Sequence, residues 1–124
     1  MTRPPALPPG WPPDVRPPGS PDWELSAVAW LFDQCPADYR GYDVLRRQPL
    51  VLARFAATAC DAAVAAADQG LRVVRTELRD RVAPEVVDDA VATYERERHR
   101  ARTARHAVDL VERALRGERW VPRL

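Results

Sequence analysis

The chain has 124 residues, a formal net charge of +1 and 30% charged side chains. This length predicts one domain of modest size, and the near-neutral charge argues against a protein built mainly to bind a polyanion. All 19 basic side chains are Arg, and Lys, Asn and Ile are absent. That usage is typical of a high-GC bacterial genome, so the abundance of Arg says little about function.

Residues 1–19 form a proline-rich arm, and nine of the 13 prolines lie in the first 21 residues. Repeated Pro-Pro pairs fix φ and remove backbone donors, which predicts an extended, largely polyproline II segment. Three hypotheses remain open. The arm is a disordered leader, a strap that lays Leu7, Trp11 and Val15 on the chain's own helices, or a ligand for an aromatic-lined groove on another protein. P-x-x-P occurs at Pro5–Pro8 and Pro9–Pro12.

The next segment predicts a helix over residues 21–34. Ser20 offers an N-cap hydroxyl, Pro21 suits the first helical position, and Asp22 places an acid in the first turn. Pro36 stops the helix near its end. Its apolar residues cover most of its circumference, so we expect it to be clamped between other elements or against a second chain.

Two amphipathic patterns of nearly equal length, residues 49–82 and 84–117, meet at Pro84. Their apolar residues repeat at spacings of three and four, as in helices with one buried stripe. Gly70 weakens the first helix by about 1 kcal/mol relative to Ala and suggests a kink there. Ala83 is a poor N-cap, so one continuous helix kinked at Pro84 is the alternative to a hairpin.

The predicted fold is all-α: a long antiparallel hairpin with the shorter N-terminal helix packed across it. The expected domain limits are an extended arm over 1–19, a helical domain over 20–117 and an extended tail over 118–124. We expect Trp120, Val121 and Leu124 of the tail to dock back on the helices.

Few residues offer chemistry. His99 and His106 share a helix face but sit about 10 Å apart, too far to chelate one ion. Glu95 and His99 could ligate a metal only with help from elsewhere, and no phosphate-binding loop, zinc spacing or nucleophile motif occurs. We therefore expect a non-enzymatic protein without cofactor or metal, and a small metal protein or enzyme is the minor alternative.

The stretch 96–106 holds five Arg against one Glu. One hypothesis is a nucleic-acid-binding face whose arginines contact phosphates. The other is a solvated face, partly balanced by Glu95 and by acids of the neighbouring helix. The candidate phosphate-contacting residues are Arg96, Arg98, Arg100, Arg102 and Arg105.

Compartment follows from two observations. No apolar run reaches membrane-spanning length, and the proline-rich start does not resemble a signal peptide. We therefore expect a cytoplasmic protein without membrane contact, in which Cys35 and Cys60 stay reduced.

The preferred function is an adaptor or regulatory subunit that acts by binding protein, because apolar helix surface and aromatic residues are in surplus. The candidate partner-binding residues, for which core packing is the alternative, are Trp11, Trp23, Trp30, Phe32 and Trp120.

A homodimer is also expected. Helix 21–34 is about 20 Å long, so it shields less than half of a hairpin about 50 Å long. Two-fold pairing into a four-helix bundle would cover the rest, with a partner subunit or the proline-rich arm as alternatives. The apolar residues that fall off the main stripes and need cover are Val51, Phe55, Val64, Val73, Val86 and Leu110.

Overall fold

A computed structural model describes residues 6–123. The helices are α1 (Trp23–Asp33), a 3-10 helix (Ala37–Gly41), α2 (Asp43–Arg47), α3 (Pro49–Leu78) and α4 (Pro84–Leu115). This range contains no strand, which confirms the all-α prediction. Pro5 of the first P-x-x-P motif and Leu124 of the tail lie outside the described residues.

The two long helices form a hairpin. α3 and α4 pack against each other and are joined by the loop 79–83, so the alternative of one kinked helix is wrong. α3 ends four residues earlier than predicted, and Asp80 adopts a left-handed φ of 66° in the loop. Ala83 is extended, and Pro84 opens α4 with a φ already suited to a helix.

The predicted kink at Gly70 does not interrupt α3, which continues as one helix to Leu78. The glycine serves a different purpose. A Cβ added at Gly70 would lie 2.3 Å from the ring of Tyr94, so the absent side chain is what lets this ring pack against the backbone of α3.

A ladder of ion pairs fixes the register of the hairpin. Arg54, Asp61 and Asp68 of α3 pair with Glu112, Arg105 and Arg98 of α4 at 2.9, 3.1 and 3.2 Å. Both sets of residues are seven apart, which keeps each set on one helix face. Arg75–Asp88 at 3.1 Å adds a fourth pair near the loop. A slip along either helix would break these pairs together.

α1 packs on the end of the hairpin where α3 begins and α4 ends. Its start differs from the prediction, because Ser20 Oγ donates to the Pro17 carbonyl at 2.7 Å and Asp22 precedes the helix without a side-chain cap. The core cluster at this end comprises Val15, Ala27, Leu31, Phe32, Leu45, Leu52, Ala53, Ala56, Ala57, Cys60, Val108 and Val111.

The described part of the arm, residues 6–19, has no helix but bends at three tight turns rather than running straight. Backbone N–H groups of Trp11, Val15 and Ser20 each donate to the carbonyl three residues earlier at 3.1 Å. Gly10 and Gly19 adopt φ 91°, which a turn of the type Pro-Pro-Gly requires at its third residue.

This arm lies on the chain's own helices, as the strap hypothesis predicts. Val15 is part of the core, and Trp11 donates its indole N–H to the Val15 carbonyl at 2.9 Å. His106 of α4 lies 3.3 Å from the Pro9 carbonyl. The arm thereby helps to bury Leu110, one of the residues that needed cover.

The hairpin therefore has two parts. The base comprises residues 49–60 of α3 and 104–115 of α4, which share a core with α1, α2 and the arm. The tip comprises residues 61–103, whose buried residues all lie on the two long helices. This division decides which apolar surface stays open.

Candidate protein-binding surface

One side of α3 is apolar and open. The outer face, as we call it, repeats at spacings of three and four along the helix and consists of Val51, Phe55, Thr58, Ala62, Ala66, Gln69 and Val73. Val51 is 36% exposed and Phe55 is 45% exposed. No member of this set is charged, and the acids nearest to it, Asp61 and Asp68, already pair with α4. The surface is mainly apolar, and a charged side chain reaches it at the tip, where Arg72 donates to Gln69 at 2.7 Å.

Aromatic rings extend the outer face at the base. The ring of Tyr39 contacts the rings of Tyr42 and Phe55 edge-on, with centroids 5.9 and 6.0 Å apart. This arrangement is favoured by the quadrupoles of aromatic rings. Tyr42 is 55% exposed, and Val44 and Leu50 are open nearby in sequence. We call Tyr39, Tyr42 and Phe55 the aromatic patch.

α3 is a strongly apolar helix that is nevertheless largely exposed. An 18-residue window of this helix is long and apolar enough to cross a membrane, although only 33% of that window is buried. The expectation that no apolar run reaches spanning length is therefore wrong for α3. The core helix of a soluble protein can pass the same test, but such a helix is mostly buried.

The residues predicted to need cover divide between base and tip. Leu110 is buried beside the arm, whereas Val64 and Val73 are half-buried. Val51, Phe55 and Val86 stay exposed. The alternative in which the arm straps part of the gap thus accounts for one residue of the six.

The predicted partner-binding aromatics occupy different environments. Phe32 lies in the core, and Trp30 is half-buried against it. Trp11 and Trp23 also pack against the core, and together with Trp120 they line one open groove of about 940 Å³ between the arm and the C-terminal tail. Trp120 is 41% exposed. The structure therefore brings three of the five predicted residues together.

The Arg-rich stretch is largely engaged within the chain. Arg98 and Arg105 belong to the ladder with α3. Arg100 donates two hydrogen bonds to Glu97 at 2.8 and 3.0 Å, and Arg96 donates to Thr93 Oγ1 at 3.4 Å. Arg102 is exposed and has no ion pair among residues 6–123. Acids of the neighbouring helix thus balance part of this face.

Glu112 is the one charged residue of the described chain that is buried, at 8% exposure. Its carboxylate accepts hydrogen bonds from Arg54 at 2.9 Å and Arg116 at 3.2 Å. Burial by itself raises the pKa of Glu112, but the hydrogen bonds and charges of the two guanidinium groups outweigh it and hold the pKa below the usual value. Glu112 is therefore ionised at neutral pH and links α3 to the end of α4 through its hydrogen bonds with Arg54 and Arg116.

The two cysteines are unpaired thiols. Cys60 is buried and Cys35 is half-buried, with its Sγ 3.5 Å from the Leu31 carbonyl. Burial raises the pKa of Cys35 to about 11, with a further contribution from Cys60, and burial also raises the pKa of Cys60. A thiol needs a lowered pKa to act as a nucleophile at neutral pH, so neither has the properties of a reactive cysteine.

Within residues 6–123, no three His, Cys, Asp or Glu side chains lie close enough together to hold a metal ion. His106, one of the two histidines considered as ligands, lies against the arm, with its Nε2 atom 3.3 Å from the Pro9 carbonyl.

The sequence did not predict the contacts of Tyr39 with Tyr42 and Phe55. The ion pairs between α3 and α4 were not predicted either, although the seven-residue spacing of Arg54, Asp61 and Asp68 offers a signal for them.

The chain matches no family model, no curated protein and no solved structure.

Proposed function

We propose that the protein is a small non-enzymatic adaptor or regulatory subunit that works by binding protein through the outer face and the aromatic patch. The observation that carries this proposal is the open apolar surface of α3. Contiguous exposed apolar surface marks interaction sites, and interface centres are rich in aromatic residues and poor in charge. Val51, Phe55 and Tyr42 supply both properties.

Nucleic-acid binding remains the hypothesis from another class, and the ion pairs count against it. A phosphate would have to displace Asp68 from Arg98 and Asp61 from Arg105. Counterion release favours binding only when the arginines are free to contact phosphate. The proposed location is the cytoplasm, a reducing compartment that suits two unpaired thiols.

Photo-crosslinking tests the proposal. A photoreactive phenylalanine replaces Phe55 in one sample and exposed Ala92 of α4 in a control sample, and both are irradiated in extract of the native host. We expect protein adducts at Phe55 that are absent at Ala92 and that disappear when Val51→Asp is added. Mass spectrometry identifies the adducts.

Three results would contradict the proposal. One is an equal set of adducts at both positions. Another is binding of duplex or single-stranded nucleic acid at physiological salt that is lost with Arg102→Glu and kept with Val51→Asp. The third is flotation of the purified chain with anionic lipid vesicles that Val51→Asp abolishes, since that would assign the face to a membrane.

A further inference from the structure

We propose that the outer face of α3 binds the outer face of a second copy of this chain, antiparallel, about a two-fold axis through Ala62. This inference rests on the proposed function and names its partner. It follows from the order of residue sizes along the face, from the hydrogen bonds of its polar groups and from the area it offers.

The face is self-complementary about Ala62. In an antiparallel pair centred there, Val51 meets Val73 of the second copy, Phe55 meets Gln69 and Thr58 meets Ala66, and each of these contacts occurs twice. The centre is small and the large residues lie at the ends. Small side chains let two helix backbones approach closely, and larger ones fill the space where crossing helices diverge. A two-fold interface requires one patch that complements itself.

The two polar members of the face, Thr58 and Gln69, differ in the hydrogen bonds that a partner would have to supply. Thr58 Oγ1 already donates to the Arg54 carbonyl at 3.0 Å, so the hydroxyl hydrogen is satisfied within the helix. Gln69 Oε1 accepts from Arg72 at 2.7 Å. Covering Thr58 therefore leaves its hydroxyl satisfied, whereas the amide N–H groups of Gln69 need an acceptor from the second copy or from water.

The area indicates a reversible dimer. The face runs from residue 51 to residue 73, which gives a strip about 33 Å long and about 10 Å wide, or roughly 330 Å² on each copy. Stable interfaces bury about 800 Å² on each partner. The antiparallel arrangement also carries the tip of one copy toward the aromatic patch of the other, at both ends. The two strips together bury about 660 Å², which is below the size of a stable interface and indicates a weak, concentration-dependent association.

Sedimentation of the full chain tests the proposal over about 1 to about 200 µM, because mass action makes a weak dimer depend on concentration. We expect the mass to rise from 14.0 kDa toward twice that value. Ala62→Glu places two carboxylates opposite each other at the axis and should abolish the rise. Ala62 is exposed and Glu favours helices, so circular dichroism should show an unchanged fold. The matched control is Ala92→Glu, also exposed but on α4, which should dimerise as the native chain does.

A covalent trap locates the axis. In Ala62→Cys, the two new thiols face each other, and each loses a hydrogen to an added oxidant, the diamide reagent, as one S–S bond forms. A disulfide requires Cα atoms about 4.4 to 6.8 Å apart, so only a residue near the axis links efficiently. We expect a species of doubled mass for Ala62→Cys and not for Ala92→Cys or the native chain.

A native chain that stays at 14.0 kDa over the whole range, with intact helicity, would overturn the proposal. So would equal crosslinking of Ala62→Cys and Ala92→Cys. If the photoreactive group at position 55 then still captured a different protein in a manner sensitive to Val51→Asp, the second copy would be wrong as partner while the proposed function stood. If it captured nothing, both would fail.

Discussion

The base and the tip of the hairpin use the same two helices and bury them differently. At the base, α1, α2 and the arm enclose α3 and α4, and side chains such as Leu31, Leu45 and Leu52 are fully buried. At the tip, α3 and α4 have only each other, with small residues such as Ala67 and Gly70 between them. Burial of apolar side chains supplies most of the free energy of folding, so the base stabilises the fold while the tip presents open surface.

The largest expected effect compares two leucines of α3. Leu52 is fully buried at the base, whereas Leu71 is half-buried at the tip. Leu52→Ala should lower the free energy of unfolding by about 3 kcal/mol, because it leaves a cavity in an enclosed core, and Leu71→Ala by about 1 kcal/mol. Urea unfolding at low protein concentration measures both. Equal losses would show that the tip is as well packed as the base.

The second prediction compares two ion-paired glutamates, Glu112 at the base and Glu97 at the tip. Glu112→Gln should cost about 2 kcal/mol, since Arg54 and Arg116 lose a buried charged acceptor. Glu97→Gln should leave the unfolding midpoint unchanged, because Glu97 and Arg100 are both exposed to solvent.

The pH dependence of stability separates the charge of Glu112 from its packing. The pKa of Glu112 is lowered in the folded chain, so its contribution is present above its unfolded pKa of about 4.5 and is lost as pH falls below that value. The stabilities of the native chain and of Glu112→Gln should therefore converge as pH falls from about 4.5 through the lowered pKa of Glu112 in the folded chain. A difference that persists below that pKa would assign the loss to packing rather than to charge.

The smallest expected effect tests the contact between the helices at the tip. Gly70→Ala should destabilise the chain by about 1 kcal/mol, because the added methyl displaces the ring of Tyr94. In a Tyr94→Ala background the same change should stabilise by about 1 kcal/mol, since Ala favours helices over Gly. Thermal unfolding of the native chain, the two single variants and the double variant gives the coupling free energy between positions 70 and 94. A change of equal sign in both backgrounds would show that the ring does not depend on this glycine.

The helices could be predicted from periodicity because each long helix keeps one apolar stripe over many turns. The ends of the helices were less predictable. The apolar pattern of α3 continues to Val82, but the helix ends at Leu78 because residues 79–83 form the loop that reverses the chain. The predicted N-cap at Ser20 was wrong because its hydroxyl closes a turn of the arm. Among candidate site residues, Val51 and Phe55 were identified as needing cover, whereas Tyr39 and Tyr42 were not.

The helical class, the reversal near Pro84 and the excess of apolar surface could be predicted from the sequence, because these depend on local periodicity and backbone constraints. Which part of that apolar surface stays open depends on how the arm, α1 and α2 pack on the hairpin. Leu110 and Phe55 both fall off the main apolar stripes, but the arm at Gly10 buries Leu110, whereas Phe55 is touched by the ring of Tyr39 and stays 45% exposed. Such burial depends on contacts between residues distant in sequence, which the spacing along one helix does not encode.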